Sequence, residues 1–159
     1  EEAFTIAMVL AETLGMGASW DILATDISLS VLEKAERGHY PMERASGIPP
    51  ELLRKYCLKG VRSQAGTLLI QPELRQRVRF QQYNLVAPGQ PDVGSFDVIF
   101  LRNVMIYFDN DTKAQVVSNL LPHLKRDGYF IIGHSETLNR ISDEVVAVRP
   151  TIYRRPEAK

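Results

Sequence analysis

The run FDVIFL at 96–101 constrains this chain most. It is short, apolar throughout except for Asp97, and bounded by Gly94-Ser95 before and Arg102-Asn103 after. A strand with one wet face would alternate polar and apolar residues. A continuous run reads instead as a strand covered on both faces, as in parallel sheets flanked by helices. The predicted fold class is α/β.

The flanking pattern supplies the other layers. Phe4, Ile6, Ala7, Val9, Leu10 and Leu14 recur at near-helical spacing until Gly15 and Gly17, and Glu1 and Glu2 would sit at the positive end of that helix dipole. WDILAT at 20–25 reads as a strand ending at Asp26, and Ser28 or Ser30 can cap a helix that stops near Gly38. Pro49 begins a short helix, PPELLRKY. From Leu58 to Phe80, Gly60, Gly66 and Pro72 punctuate short runs like those of small antiparallel strands. That stretch, which is rich in basic residues, reads as an inserted subdomain. Val78–Tyr83 rejoins the main sheet, and 84–95 is a loop containing Pro88, Gly89, Pro91 and Gly94.

Asp109, Asn110 and Asp111 start a helix carrying Val116, Val117, Leu120, Leu121 and Leu124, with Lys125 and Arg126 predicted in its last turn and Asp127-Gly128 as the stop. Tyr129–Ile132 is a further strand, and Val145–Val148 with Thr151–Arg154 forms a closing hairpin. The order predicts one three-layer domain over 1–159.

Composition bounds the class. Hydrophobic residues are 45% and charged residues 24% of the 159, which argues against disorder. The longest apolar runs reach about half a membrane span, so no membrane insertion is expected. Cys57 is alone and no basic-then-apolar leader is visible, so a cytoplasmic setting is expected. Net charge is zero, yet Arg54, Lys55, Lys59, Arg62, Arg75, Arg77 and Arg79 fall between Glu51 and Arg79 against only Glu51 and Glu73. Such a lobe either attracts an anionic partner or is a solvated face.

Ligands of open α/β sheets bind at the carboxyl ends of strands. That directs attention to Asp26, Asn84, Leu101-Arg102 and Gly133-His134. An acid in the place of Asp26 either holds ribose hydroxyls or caps the next helix. Arg102, ending a buried strand, is hard to explain as core. Tyr107, in the packing run VMIYF, reads alone as a core aromatic. There is no G-x-S-x-G, P-loop, H-E-x-x-H or C-x-x-C. His39, His123, His134 and Cys57 lack metal-ligand spacing, so no metal site is expected. These residues leave dinucleotide and S-adenosylmethionine binding both open.

Four segments then carry a resemblance: EEAFTIAM at 1–8, ATDIS at 24–28, FDVIFLRNVMIYFD at 96–109 and LLPHLKRDGYFIIGHSE at 120–136. In this order they resemble the CheR-type methyltransferases, which transfer methyl from S-adenosylmethionine to glutamate side chains of bacterial chemoreceptors. The products there are glutamyl methyl esters and S-adenosylhomocysteine. The resemblance implies a class I S-adenosylmethionine-dependent methyltransferase fold, a Rossmann-like three-layer sheet with an inserted antiparallel β-subdomain at about 38–80. It implies that the family's first strand, glycine-containing loop and small helical N-terminal domain would precede Glu1. The chain alone would then lack parts needed for activity.

Residue by residue, the resemblance makes Glu1 or Glu2 part of the first cofactor motif and Asp26 the ribose-binding acid. Asn84 and Leu85 would lie beside the adenine, and Leu101 and Arg102 would line the cofactor. Tyr107, with Arg102, would act near the methyl group. The implied partners are chemoreceptors, in some members held through the β-subdomain, rather than nucleic acid. Two alternatives remain: a methyltransferase with a small-molecule acceptor, and an inactive receptor-binding module.

Overall fold

In the computed structural model, residues 1–88 and 91–156 are described, so Gly89 of the predicted 84–95 loop lies outside them. The chain divides into two compact units, Glu1–Tyr83 and Asn84–Lys159.

In the first unit, α1 (Glu2–Leu14) precedes β1 (Ile22–Asp26) and α2 (Leu29–Arg37). Then follow β2 (His39–Pro41), α3 (Pro50–Tyr56), β3 (Cys57–Lys59), β4 (Thr67–Ile70), the single turn α4 (Pro72–Arg75) and β5 (Val78–Gln82). β1 and β5 pair in parallel, Ile22 opposite Val78 through Asp26 opposite Gln82. β2, β4 and β3 form a separate antiparallel sheet with β4 in the middle.

In this unit α1 and α2 stop at the glycines that the sequence marks, Gly15 and Gly38. Gly38 ends α2 at φ 60, a left-handed conformation that a side chain resists, and a Cβ there would lie 2.7 Å from Arg75 Cδ. Phe4, Ala7, Met8 and Ala11 of α1 pack with Tyr56, Leu68, Ile70, Leu74 and Val78 in one core. The Phe4 ring lies 5.8 Å from Phe80 and 6.3 Å from Tyr40, centroid to centroid. Removing so buried a ring costs about 3–5 kcal/mol.

The second unit is one mixed sheet, ordered β6-β7-β9-β8. It comprises β6 (Phe96–Leu101), β7 (Leu124–Ile132), β8 (Val146–Arg149) and β9 (Ile152–Arg154), with α5 (Asn110–Leu120) between β6 and β7. β6 and β7 are parallel, and the predicted terminal hairpin is the antiparallel pair β8 and β9. Asp109 caps α5, its Oδ1 accepting from Thr112 N at 2.8 Å.

Two expectations need correction. First, α5 does not reach Lys125. It ends at Leu120 and passes into a 3₁₀ turn, Leu121–His123, because Pro122 has no N–H to continue the helix. Leu124–Asp127 therefore belong to β7, and Lys125 donates at 2.9 Å to both carboxylate oxygens of Asp97 instead. Second, FDVIFL is not covered on both faces. Leu101 is buried, whereas Val98 and Phe100, on the opposite side of the pleat, are 40% and 42% exposed. Their register neighbours Tyr129 and Ile131 on β7 share that side, and Tyr129 is likewise exposed. Apolarity alone reports a preference for burial, not the presence of a cover.

Among the described residues no helix is long and apolar enough to cross a membrane.

Candidate functional site

In the first unit, Asp26 is the last residue of β1, and its Oδ1 accepts from Ser28 N at 2.8 Å. This two-residue side-chain turn opens α2, whose N-cap Ser28 makes no side-chain cap bond of its own. The capping reading thus accounts for one oxygen. No hydrogen bond to Oδ2 is found among the described residues, and a carboxylate offers about four acceptor positions. Asp26 can start the helix and still accept hydroxyls.

Glu1 is the N-cap of α1, its carbonyl accepting from Phe4 N and Thr5 N, and Glu2 lies in the first turn. The Glu1 carboxylate is 3.6 Å from Arg44, with both side chains exposed, so the pair contributes little.

In the second unit, Asn84 Oδ1 accepts from Val86 N at 3.1 Å, and the Leu85 carbonyl accepts from Asn119 Nδ2 at 2.9 Å. The segment following β5 is thereby held on α5. Leu101 ends β6 as a buried residue opposite Ile132, and Arg102 follows at once, half-buried. Beyond it, Asn103 turns through φ 60, Met105 is buried, and the 3₁₀ turn Met105–Tyr107 raises Tyr107 to 79% exposure. Tyr107 is not a core aromatic.

The residue that sequence reasoning missed is Glu136. Its Oε1 accepts from Met105 N at 2.9 Å, and its Oε2 accepts from Gly133 N at 2.7 Å and Asn103 N at 3.2 Å. The available signal was an acid three residues beyond a glycine that ends a buried strand. A carboxylate at that spacing can reach back to amides at the strand end. Glu136 also lines a cleft of about 310 Å³ with Ile106, Asn110, Lys113, Thr137 and Arg140. Leu101, Arg102, Tyr107 and Glu136 are thus gathered around the loops that follow β6 and β7. Among the described residues no group of three His, Cys, Asp or Glu is placed to hold a metal ion.

Residues 1–153 match the family described as CheR methyltransferase, SAM binding domain. The chain is 38% identical over 154 residues to the chemotaxis protein methyltransferase of Escherichia coli (strain K12), covering 96% of this chain and 54% of that protein. It is 40% identical over 157 residues to chemotaxis protein methyltransferase 2 of Pseudomonas aeruginosa, covering 96% and 55%. It is 38% identical over 158 residues to the chemotaxis protein methyltransferase of Borreliella burgdorferi, covering 98% and 54%. The chain spans about half the length of these curated relatives. With the family matched from residue 1 to 153, the chain belongs to the CheR methyltransferases through their SAM-binding domain, and its α/β fold is that of a class I S-adenosylmethionine-dependent methyltransferase.

Proposed function

We propose that this chain is the cofactor-binding and catalytic part of a protein-glutamate O-methyltransferase acting on bacterial chemoreceptors in the cytoplasm. The observation that carries the reading is the family match over 1–153, joined to relatives that are themselves chemotaxis protein methyltransferases. We read 1–159 as one catalytic domain with an inserted β-subdomain at about 38–80, a reading the small β2-β4-β3 sheet supports.

The donor set fits S-adenosylmethionine. Asp26 retains an oxygen for the ribose hydroxyls, Asn84 and Leu85 would flank the adenine, and Leu101 and Arg102 would line the cofactor. Glu1 or Glu2 would complete the first motif. When bound, the cofactor supplies an electrophilic methyl on a sulfonium sulfur.

The acceptor is a glutamate, with a reference pKa of about 4.3, so it is an anionic nucleophile at neutral pH and needs no general base. The chain's residues then have one task, alignment, which can contribute up to about 7–11 kcal/mol. Arg102 offers forked donors and Tyr107 one exposed hydroxyl. In the cleft beside Ile106, Lys113 and Arg140 suit an acidic acceptor segment.

The basic lobe supports receptor docking through fewer residues than its sequence suggests. Lys55 is paired with Glu12, and Arg79 with Asp21. Arg75 donates to the Arg37 carbonyl, and Arg77 to the carbonyls of Met16, Ala18 and Trp20. Arg54, Lys59 and Arg62 remain exposed and without a partner among the described residues.

The test is methyl transfer by the full-length protein from methyl-labelled cofactor to purified chemoreceptor. Label that enters receptor glutamates and leaves as methanol in base is the expected result. Label appearing only on a small carboxylate, or on nothing while cofactor binds, would refute the reading.

A further inference from the structure

The loop from Arg102 to Tyr107 belongs to no strand ladder, yet it takes one left-handed step at Asn103 and buries Met105. Tyr107 itself is too exposed for packing to hold it, so its place is set by the backbone beneath it. The Glu136 side chain holds that backbone from outside. We infer that Glu136 is a positioning residue for methyl transfer: its carboxylate clasps the loop after β6 to the turn after β7, and so fixes where Tyr107 is presented.

The geometry is specific to an ionised carboxylate. Three backbone donors converge on its two oxygens, at 2.9 Å from Met105 N, 3.2 Å from Asn103 N and 2.7 Å from Gly133 N. Bonds of this kind are shorter and stronger than neutral ones. An amide in the same place would turn an N–H₂ group toward at least one of the three donors. The turn is itself closed by Glu136 N donating to the Gly133 carbonyl at 3.1 Å. Gly133 is part of the device. A Cβ there would lie 2.6 Å from Glu136 Oε2 and 3.2 Å from Asn103 N, so any side chain displaces the carboxylate from its donors.

The clasp acts on one side of the loop. Its amides belong to Asn103 and Met105, which follow Arg102 and precede Tyr107. Leu101 is held by its own ladder pairing with Ile132. Loosening the clasp should therefore move Tyr107 more than it disturbs the residues proposed to line the cofactor. The inference rests on the methyltransferase reading above.

The experiment compares Glu136→Gln, Gly133→Ala and the double variant in the full-length protein. Cofactor affinity is read by calorimetry, turnover is expressed per cofactor-binding site, and hydrogen exchange is followed at the amides of Asn103, Met105 and Gly133. Counting active sites separates positioning from folding, since a merely structural residue lowers the number of sites and not turnover at each.

We expect turnover per site to fall about tenfold or more with cofactor affinity within about threefold of wild type. Exchange at the three amides should quicken. The double variant should be no slower than the slower single, because both changes break one device. Glu136→Gln turning over at the wild-type rate per site, or losses that multiply in the double, would overturn the inference alone. A wild-type protein that binds cofactor but methylates no receptor would overturn the function and this inference together.

Discussion

The guanidinium of Arg77 lies 5.0 Å over the ring of Trp20 and donates to the Trp20 carbonyl at 2.9 Å. The same side chain reaches the carbonyls of Ala18 and Met16, so one arginine immediately before β5 gathers the turn that leads from α1 into β1. In return, the indole N–H of Trp20 donates to the Gly15 carbonyl at 3.0 Å. Arg77 is a fastening within the first unit rather than part of a docking face.

Replacing Arg77 by Ala removes hydrogen bonds from a charged donor together with a cation–π contact. We expect a loss of about 2–4 kcal/mol, read as a lower midpoint in denaturant unfolding. Arg77→Lys keeps the charge but not the fork, and should recover only part of it. A variant as stable as wild type would show that the turn holds itself.

A second fastening joins α1 to the segment that ends α3. Lys55 Nζ and Tyr56 OH both donate to Glu12 Oε1 at 2.5 Å, and Lys55 lies 5.3 Å from the Tyr56 ring centroid. The hydrogen bond from Lys55, then that from Tyr56, holds the Glu12 carboxyl below its ordinary range. A group whose folded pKa is depressed contributes stability that is present above the ordinary carboxylate range and lost as pH falls through the folded value. The Lys55 ammonium is raised, chiefly by the same bond to Glu12, so its contribution is lost only as pH rises past the usual lysine range. Thermal unfolding should therefore show wild type more stable than Glu12→Gln at neutral pH, with the two converging in acid. Parallel curves across the carboxylate range would contradict this.

These two fastenings mark what was legible in the sequence and what was not. Local signals sufficed for α1, for the start of α5 at Asp109 and for the β8–β9 hairpin, because caps, glycines and periodicity act within a few residues. The end of α5 escapes them, since Lys125 and Asp127-Gly128 resemble a stop while Pro122 already breaks the helix. The carbonyls that engage Arg77 are about sixty residues away in sequence, and Met105 is thirty-one from Glu136, so no local pattern announces either. Of the proposed site residues, Asp26, Asn84, Leu101 and Arg102 are pointed to by their places at strand ends, whereas Glu1, Glu2, Leu85 and Tyr107 owe their roles to the family resemblance.

Asp26 offers a test in which turn and ligand roles separate. Asp26→Asn keeps an oxygen for Ser28 N, and so should leave stability near wild type. It removes the charge and part of the acceptor capacity proposed for the ribose. Calorimetry with S-adenosylmethionine should show affinity lower by about 1.5–3 kcal/mol, the worth of hydrogen bonds to a charged group. Unchanged affinity would remove Asp26 from the site.

Tyr107→Phe deletes only a hydroxyl from a side chain that is 79% exposed. Among the described residues that oxygen makes no hydrogen bond, so the unfolding midpoint should not move. Turnover should fall about three- to tenfold, the loss of one neutral hydrogen bond in the transition state. Receptor methylation at the wild-type rate would leave Tyr107 a surface aromatic.

The charge lobe can be tested with its engaged members set aside. Arg54, Lys59 and Arg62 are exposed, and Lys59 ends β3, an edge of the β2-β4-β3 sheet. If these cations steer an acidic receptor toward the protein, the attraction is long-ranged and screened by salt, with a Debye length of about 10 Å at 0.1 M and about 3 Å at 1 M. Changing all three to Glu should slow receptor methylation at low salt and flatten its salt dependence, with cofactor affinity and the unfolding midpoint unchanged. Changing Arg75 and Arg77 instead should lower the midpoint, since their donors are engaged inside the unit. A receptor segment that adds a strand at the β3 edge would contribute main-chain pairing, so a salt-insensitive part of the rate should survive the triple change. Normal methylation by the triple variant at low salt would reduce the lobe to a solvated surface.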